Sequence, residues 1–553
     1  MYAMHHDLTK REYRFGDGMN TNPIRVLDEE IKKLEEAAIE LKRTRNSLLS
    51  VNKLPPEILG KIFHWNVKFE GDFDGLGEES HNFLFVCHLW SEVASCTQKL
   101  WSFWGNNPKH WARWCLRSET APLDLVLSYR NDDRFNETVF NVLRDRASRD
   151  TIRRIHLEGD DQPVLDFILS SLTLEVQEIR SNRVESFILW NQHTTVPVDV
   201  SDFFSRYHFP KLQRLDLRYC TISSWDNLML RTGALTYLSL GFTHPTLNPT
   251  MSQLFSILES NPLLQSVKLS RYVVPDDGDD MSSLRLTLEH LKRLELVGDL
   301  RNILRLLDRL DNSEILESLV IILFDCTVTE ISQILEPYYR NRFQRHGRPQ
   351  SELGLYVRYD TKRIELRVGD FVRVDRGVVH VDKCLTLIIH QNQEFPANVQ
   401  MEVALKLIAH VPQEEVIYFR AVGDTMAMCD TYTRLPNLRT LHLNDIHLAT
   451  LFSEHHLARD KSVLPAVENL ILENLLLKDG DWSPLTTFLT SCALSGKPLK
   501  TLKISKSEDM CLGVVKSISG VVQEFDSDRD SDFFCDCFLC TCWWNHYSSP
   551  YSP

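Results

Sequence analysis

With 553 residues, 43% of them apolar and 25% charged, the chain is too long for one compact core, so two or more folding units or one elongated repeat array are expected. A formal charge of −14 lacks the basic footprint that phosphate-backbone binding requires and argues against nucleic acid as a partner. No apolar run reaches the roughly 18 residues of a membrane span, so no integral membrane segment is expected.

Residues 1–22, beginning MYAMHHDLTKREYRF, carry neither the apolar core nor the small-residue cleavage site of a secretory signal. They read as the disordered N-terminus of an intracellular protein, cytoplasmic or nuclear. Nine of the 13 cysteines, from Cys87 to Cys511, stand singly, a spacing that suggests buried reduced thiols rather than a disulfide framework.

Asn22-Pro23 opens the first ordered element, because asparagine caps a helix and proline fits its first position. Leu27, Ile31, Leu34, Ala38, Leu41 and Leu48 then alternate in steps of four and three, broken at Arg45. The spacing predicts an amphipathic, heptad-like helix over 23–50, roughly 40 Å long. Its apolar stripe reads either as the seam of a coiled-coil dimer or as a face lying on the next domain.

In LPPEILGKIF, residues 54–63, Pro55 and Pro56 impose an extended approach and preset a first helical turn. Ile58, Leu59, Ile62 and Phe63 follow on one face of a helix too short to be stable alone. Between Asn82 and Trp104, Phe83, Val86, Trp90, Val93 and Ala94 recur at helical spacing, and Leu100, Trp101 and Trp104 follow a polar break. Short helices enclose a small core, so a module of about 50 residues this rich in Trp, Phe and Ile leaves apolar surface of the kind that marks a partner site.

The ordered set Leu54-Pro55-Pro56-Glu57-Ile58-Leu59, Ile62-Phe63, Phe85-Val86-Cys87 with Trp90 and Ala94, and Leu100-Trp101 resembles an F-box. With the heptad helix upstream and HWARWCLRSETAPLDLVLSYR (110–130) downstream, residues 23 to about 160 resemble the F-box-like proteins abundant in mushroom-forming fungi. The resemblance implies a trihelical domain over 51–106 that docks on the Skp adaptor, and through it on a cullin, in an SCF-type ubiquitin ligase. Leu54, Pro55, Ile58, Leu59, Ile62, Phe63, Val86, Cys87, Trp90, Leu100 and Trp101 would then form its adaptor-facing and core surfaces. One departure is the loop EGDFDGLGEES (70–80), longer and more acidic than in a minimal F-box. Residues 107–150 read as a connecting segment.

From 151 to 505 a unit of form apolar-x-x-apolar-x-apolar recurs. FPKLQRLDL places Leu212, Leu215 and Leu217 in it; GALTYLSL, NPLLQSVKL, EHLKRLEL, LPNLRTLHL, LPAVENLIL and KPLKTLKI follow. Clear consecutive copies are about 23 to 32 residues apart, the period of leucine-rich repeats, and segments such as MSQLFSILES and LRNILRLLDRL between them have helical spacing. The fold class expected is α/β, a small all-α F-box-like module followed by an irregular leucine-rich-repeat solenoid with a parallel sheet on its concave side. Alternate strand residues would line that side, and Arg214, Asp216, Tyr237, Lys268, Arg293 and His442 are the candidates for binding a protein substrate. The array is degenerate or interrupted at about 330–435, where NRFQRHGRPQ (341–350) reads as a basic loop and LGLYVRYD with RIELRVGD as a β-hairpin.

No phosphate-binding glycine loop, Gly-x-Ser-x-Gly elbow or His-Glu-x-x-His helix occurs. The adjacent pair His455-His456 makes a poor metal site. No catalytic residues, cofactor or metal are therefore expected. The tail, 506–553, joins an acidic run from Glu524 to Asp536 to Cys535, Cys537, Cys540, Cys542 and His546. That thiol spacing fits a structural zinc site poorly; membrane tethering by acylation, or plain disorder, are the other readings. The reading as a whole is a substrate-recruiting adaptor, with a repeat scaffold capped by the F-box-like unit as its rival.

Overall fold

The computed structural model describes residues 23–69, 78–104, 121–129, 152–159, 183–191, 197–241, 248–270, 285–310, 316–324, 353–360, 363–375, 378–390, 397–409, 411–422, 434–447, 467–476, 482–494, 499–505 and 512–527, with a few short pieces between them. The N-terminal segment 1–22, most of the 70–80 loop, most of 107–150, the basic loop 341–350, His455-His456 and the Cys-rich tail lie outside the described residues. The chain is a mixed α/β protein with an N-terminal helical region and a long, mostly parallel sheet. Its contacts divide it into two units, 1–128 and 129–553.

In the first unit α1 (Pro23–Ser47), α2 (Pro56–Phe69) and α3 (His88–Cys96) form where the proline and periodicity signals place them. α1 ends before Leu48, which sits in the turn that follows, and none of its residues is buried. Of the two readings of its apolar stripe, burial on the next domain is not seen among the described residues.

In α2 the Pro55 carbonyl accepts from the Ile58 and Leu59 amides at 2.9 and 3.1 Å. The helix runs on to Phe69, 14 residues in all. It comes so close to Thr97 that a Cβ on Gly60 would lie 3.0 Å from the Thr97 hydroxyl. Leu59, Phe63, Phe83, Val93, Ala94, Leu100 and Trp101 close the core, with Leu54, Leu84, Leu89 and Trp90 packed around it. The Phe63 ring stacks on Phe83 at 4.8 Å and lies 5.1 Å from Trp90. Both indoles satisfy their N–H groups: Trp101 donates to the Ala94 carbonyl at 2.8 Å and Trp90 to Asn52 Oδ1 at 2.6 Å. Helical periodicity placed Val86 inside a helix, but a 3-10 segment (Glu78–Phe85) precedes α3 and Cys87 is extended at its start, so Phe85 and Val86 sit in the break. A spacing of three suits both helix types, which is why the sequence misplaced it. After the core, β1 (Phe103–Trp104) and β2 (Leu123–Tyr129) pair in parallel.

The sheet of the second unit follows from the repeated leucines. Its first strands, β3 (Ile152–Gly159), β4 (Ser186–Asn191), β5 (Arg214–Arg218), β6 (Tyr237–Gly241), β7 (Ser266–Ser270), β8 (Arg293–Gly298) and β9 (Ser318–Phe324), lie side by side in chain order and in parallel. Register aligns the copies, Leu215 beside Leu238, Val267, Leu294 and Leu319, and every one of these is buried. The intervening helical patterns form as read: Met251–Glu259 starts at a Thr250–Gln253 capping box, and Leu300–Leu307 is capped by Asp299.

At the weak stretch the sequence reading of a hairpin is incomplete. β10 (Leu353–Asp360), β11 (Arg363–Asp375) and β12 (Val378–His390) make a three-stranded antiparallel meander within the same sheet. Its last strand, β12, pairs with β9, and its first, β10, pairs with β13 (Val416–Val422), both in parallel. The parallel series then resumes through β14 (Thr440–His447), β15 (Asn469–Leu476), β16 (Thr501–Ser505) and β17 (Glu524–Ser527). Three copies carry a left-handed residue at the same place, two past the second leucine: Tyr219 directly after its strand, and Asp445 and Asn474 within theirs, with φ of 55°, 60° and 49°. Asp and Asn tolerate this conformation better than most side chains.

Candidate interaction surfaces

The eleven residues singled out in the helical unit fall into two sets. Leu59, Phe63, Leu100 and Trp101 are core, at most 2% exposed, while Leu54, Cys87 and Trp90 are half-buried. Pro55, Ile58, Ile62 and Val86 face outward, with Ile58 40% and Ile62 45% exposed. The four apolar positions of α2 therefore form two adjacent stripes, Leu59–Phe63 inward and Ile58–Ile62 outward. Trp65, one turn beyond Ile62, extends the outward stripe, and Phe85 stands exposed beside Val86 in the break before α3. Neither was singled out, although Trp65 continues the same helical spacing. Full burial of side chains of this size is worth about 1.5–3 kcal/mol each relative to exposure.

On the sheet, the face opposite the leucines carries charged and aromatic residues whose neighbours are set by register. Asp216 has no exposed surface and accepts from Arg218 through both oxygens, at 3.1 and 3.2 Å, with Arg214 at 3.9 Å. The two guanidinium groups in turn stack on rings from neighbouring strands, Arg214 over Tyr237 at 4.2 Å and Arg218 over Trp190 at 3.8 Å. Buried His156 meets the edge of Trp190 at 4.9 Å. Lys268 pairs with Glu295 across β7 and β8 at 2.6 Å.

A second cluster sits on the same face around the meander. Glu365, 1% exposed, holds Arg363 at 2.7 Å and Arg367 at 2.6 Å. Arg367 and Arg420 lie over Tyr356 at 5.1 and 5.7 Å. Arg420 donates to Glu473 Oε2 at 3.2 Å; His442 Nε2 is 3.1 Å from the same oxygen, and His442 Nδ1 is 2.8 Å from the Tyr418 hydroxyl. A neutral ring protonated on Nε2 suits both neighbours, and burial, the largest influence, lowers the His442 pKa. Burial likewise raises that of Tyr418. The Tyr-His-Glu line resembles an acid–base relay, but Tyr418 and His442 are at most 1% exposed and link neighbouring strands of the sheet.

Of the six sheet residues expected to bind substrate, Arg214, Asp216 and Tyr237 come together in the first cluster, Lys268 is half-buried in its ion pair, and Arg293 is exposed. Asp216 and His442 were expected on the lining but carry no exposed surface, because long cationic and aromatic neighbours close over them; they position those neighbours. Sequence reasoning missed Trp190, Arg218, Tyr356, Arg367, Arg420 and Glu473. Arg218 was legible, as the next alternate residue after Asp216, whereas the β4 copy lacks the leading leucine that marks the others. Among the described residues, no group of His, Cys, Asp and Glu could hold a metal ion, and no helix is long and apolar enough to cross a membrane.

Burial, the dominant cause, pushes the His156 pKa down from 6.5 to about 4. Between those values the unfolded chain binds a proton that the folded one refuses, so stability falls as pH drops through the window and levels off below it. The full effect is about 3 kcal/mol. The urea stability of the parent relative to His156→Phe should therefore drop by about that amount between pH 7 and pH 4; a constant difference would show that His156 protonates freely in the fold.

No protein-family model matches the chain, and no curated protein matches it.

Proposed function

We propose that this chain is a substrate-recruiting adaptor of an SCF-type ubiquitin ligase, in which the helical unit is an F-box-like domain docking on the Skp adaptor and the sheet unit is a leucine-rich-repeat solenoid that holds a protein substrate. The chain itself is no enzyme; ubiquitin is transferred by other subunits, in the cytoplasm or nucleus. The observation that carries the reading is the division of α2: Leu59 and Phe63 belong to the core, while Ile58, Ile62 and Trp65, with Phe85 and Val86, stay at least 40% exposed.

For the sheet, the clusters at Asp216 and Glu365 present Arg214, Arg218 and Arg367 at partial exposure beside aromatic rings, with Arg363 held by Glu365. Arginine stacked on aromatics and held by buried carboxylates is preorganised to form hydrogen bonds with a protein ligand.

Purified chain and Skp adaptor should form a complex, and Ile58→Asp with Ile62→Asp should weaken it at least about 100-fold, the equivalent of two isoleucines' burial. Circular dichroism of the variant should match the parent, since neither side chain belongs to the core. A folded parent that fails to bind overturns the reading.

A further inference from the structure

We propose that α1 is a dimerisation element that pairs antiparallel with α1 of a second copy of this chain. The helix runs 25 residues, about 37 Å, and buries none of its side chains. Ile24, Ile31, Ala38 and Arg45 fall at the first core position of its heptads, and Leu27, Leu34 and Leu41 at the second. Ile31, Leu34 and Leu41 are 53%, 62% and 72% exposed. A stripe repeating every 3.5 residues is the seam along which two helices pair.

Charge selects both the occupant and its direction. The flanking positions are acidic in the first half of the helix, at Asp28, Glu30 and Glu35, and basic in the second, at Lys42, with Arg45 in the seam itself. A parallel pair would set Arg45 against Arg45 in a core layer and Glu30 beside Glu35. An antiparallel pair centred on Glu36 instead sets Ile31 on Leu41 and Leu34 on Ala38 of the second copy, and each Arg45 on Leu27 rather than on another Arg45. It also brings Lys42 and Arg45 to Asp28 of the second copy, twice by symmetry. The remaining like-charge approach is Glu35 to Glu35 at the centre, where both side chains reach solvent. The helix is thus complementary to its own reverse. Intrahelical pairs such as Glu30–Lys33 and Glu40–Arg43 are compatible with this arrangement.

Sedimentation equilibrium of the full chain, over a micromolar concentration series, should show mass rising from 64.3 kDa toward twice that value. Leu34→Asp should weaken the association at least about 100-fold, because the symmetric dimer loses two buried leucines. The fold should be unaffected, since α1 contributes no buried residue. Lys42→Glu should weaken it about tenfold and the added Asp28→Lys should recover part of that loss, less the repulsion of Arg45, a rescue that only the antiparallel arrangement gives. A parent that stays monomeric throughout, a Leu34→Asp variant that still dimerises, or a charge reversal without rescue each overturns the proposal. Because α1 lies outside the proposed docking face, failure here leaves the adaptor reading standing, and the reverse.

Discussion

Trp101→Ala should unfold the helical unit. The indole is 1% exposed and donates to the Ala94 carbonyl at 2.8 Å, within a core to which the described residues contribute seven buried side chains. Truncating a buried Trp costs about 3–5 kcal/mol, and a core this small supplies little more than that in total. The loss also removes one of two donors to the Ala94 carbonyl, which keeps the Thr97 amide at 3.1 Å. Limited proteolysis should then cut within residues 54–104, where the parent resists, and binding of the Skp adaptor should vanish although Trp101 is itself inaccessible. Trp101→Phe, which keeps most of the volume, should retain both. Unchanged resistance in Trp101→Ala would mean that the helices are held by something other than this core.

Glu473→Ala should produce the largest loss among single changes on the sheet face, about 2–4 kcal/mol in urea denaturation. Its carboxylate, 14% exposed, takes the Arg420 guanidinium, itself only 21% exposed, and stands 3.1 Å from His442. Removing one member of such a group leaves a desolvated cation facing an imidazole, and the partial exposure of Arg420 keeps the cost below that of a fully buried pair. Glu473→Gln keeps the shape and an acceptor, so it should lose roughly half as much. In the Arg420→Met background the effect of Glu473→Ala should shrink, since no stranded charge remains. Equal effects in the two backgrounds would refute the pairing.

The leucine copies were legible because each Leu-x-Leu pair is buried in the same register, so burial wrote its period into the chain. The α2 signal was legible for its prolines and its spacing. Its division was not: Ile58 and Leu59 are chemically alike and one residue apart, and which faces the core depends on where Phe83 and Trp101 arrive. The meander defeated the sequence because its strand order, β12 beside β9 and β10 beside β13, is a matter of crossovers that alternation does not encode. The ion pairs of the sheet face were hidden for the same reason, Arg420 and Glu473 being 53 positions apart. α1 was read from its stripe, yet a stripe specifies only that a partner exists.

The most direct measurement is amide hydrogen exchange of the chain with and without the Skp adaptor. The docking account predicts added protection in α2, from Ile58 to Trp65, and around Phe85 and Val86, with the strands β5 and β6 unchanged. Protection confined to the sheet, or none in a mixture shown to contain complex, would contradict the assignment of that helical face as the docking site.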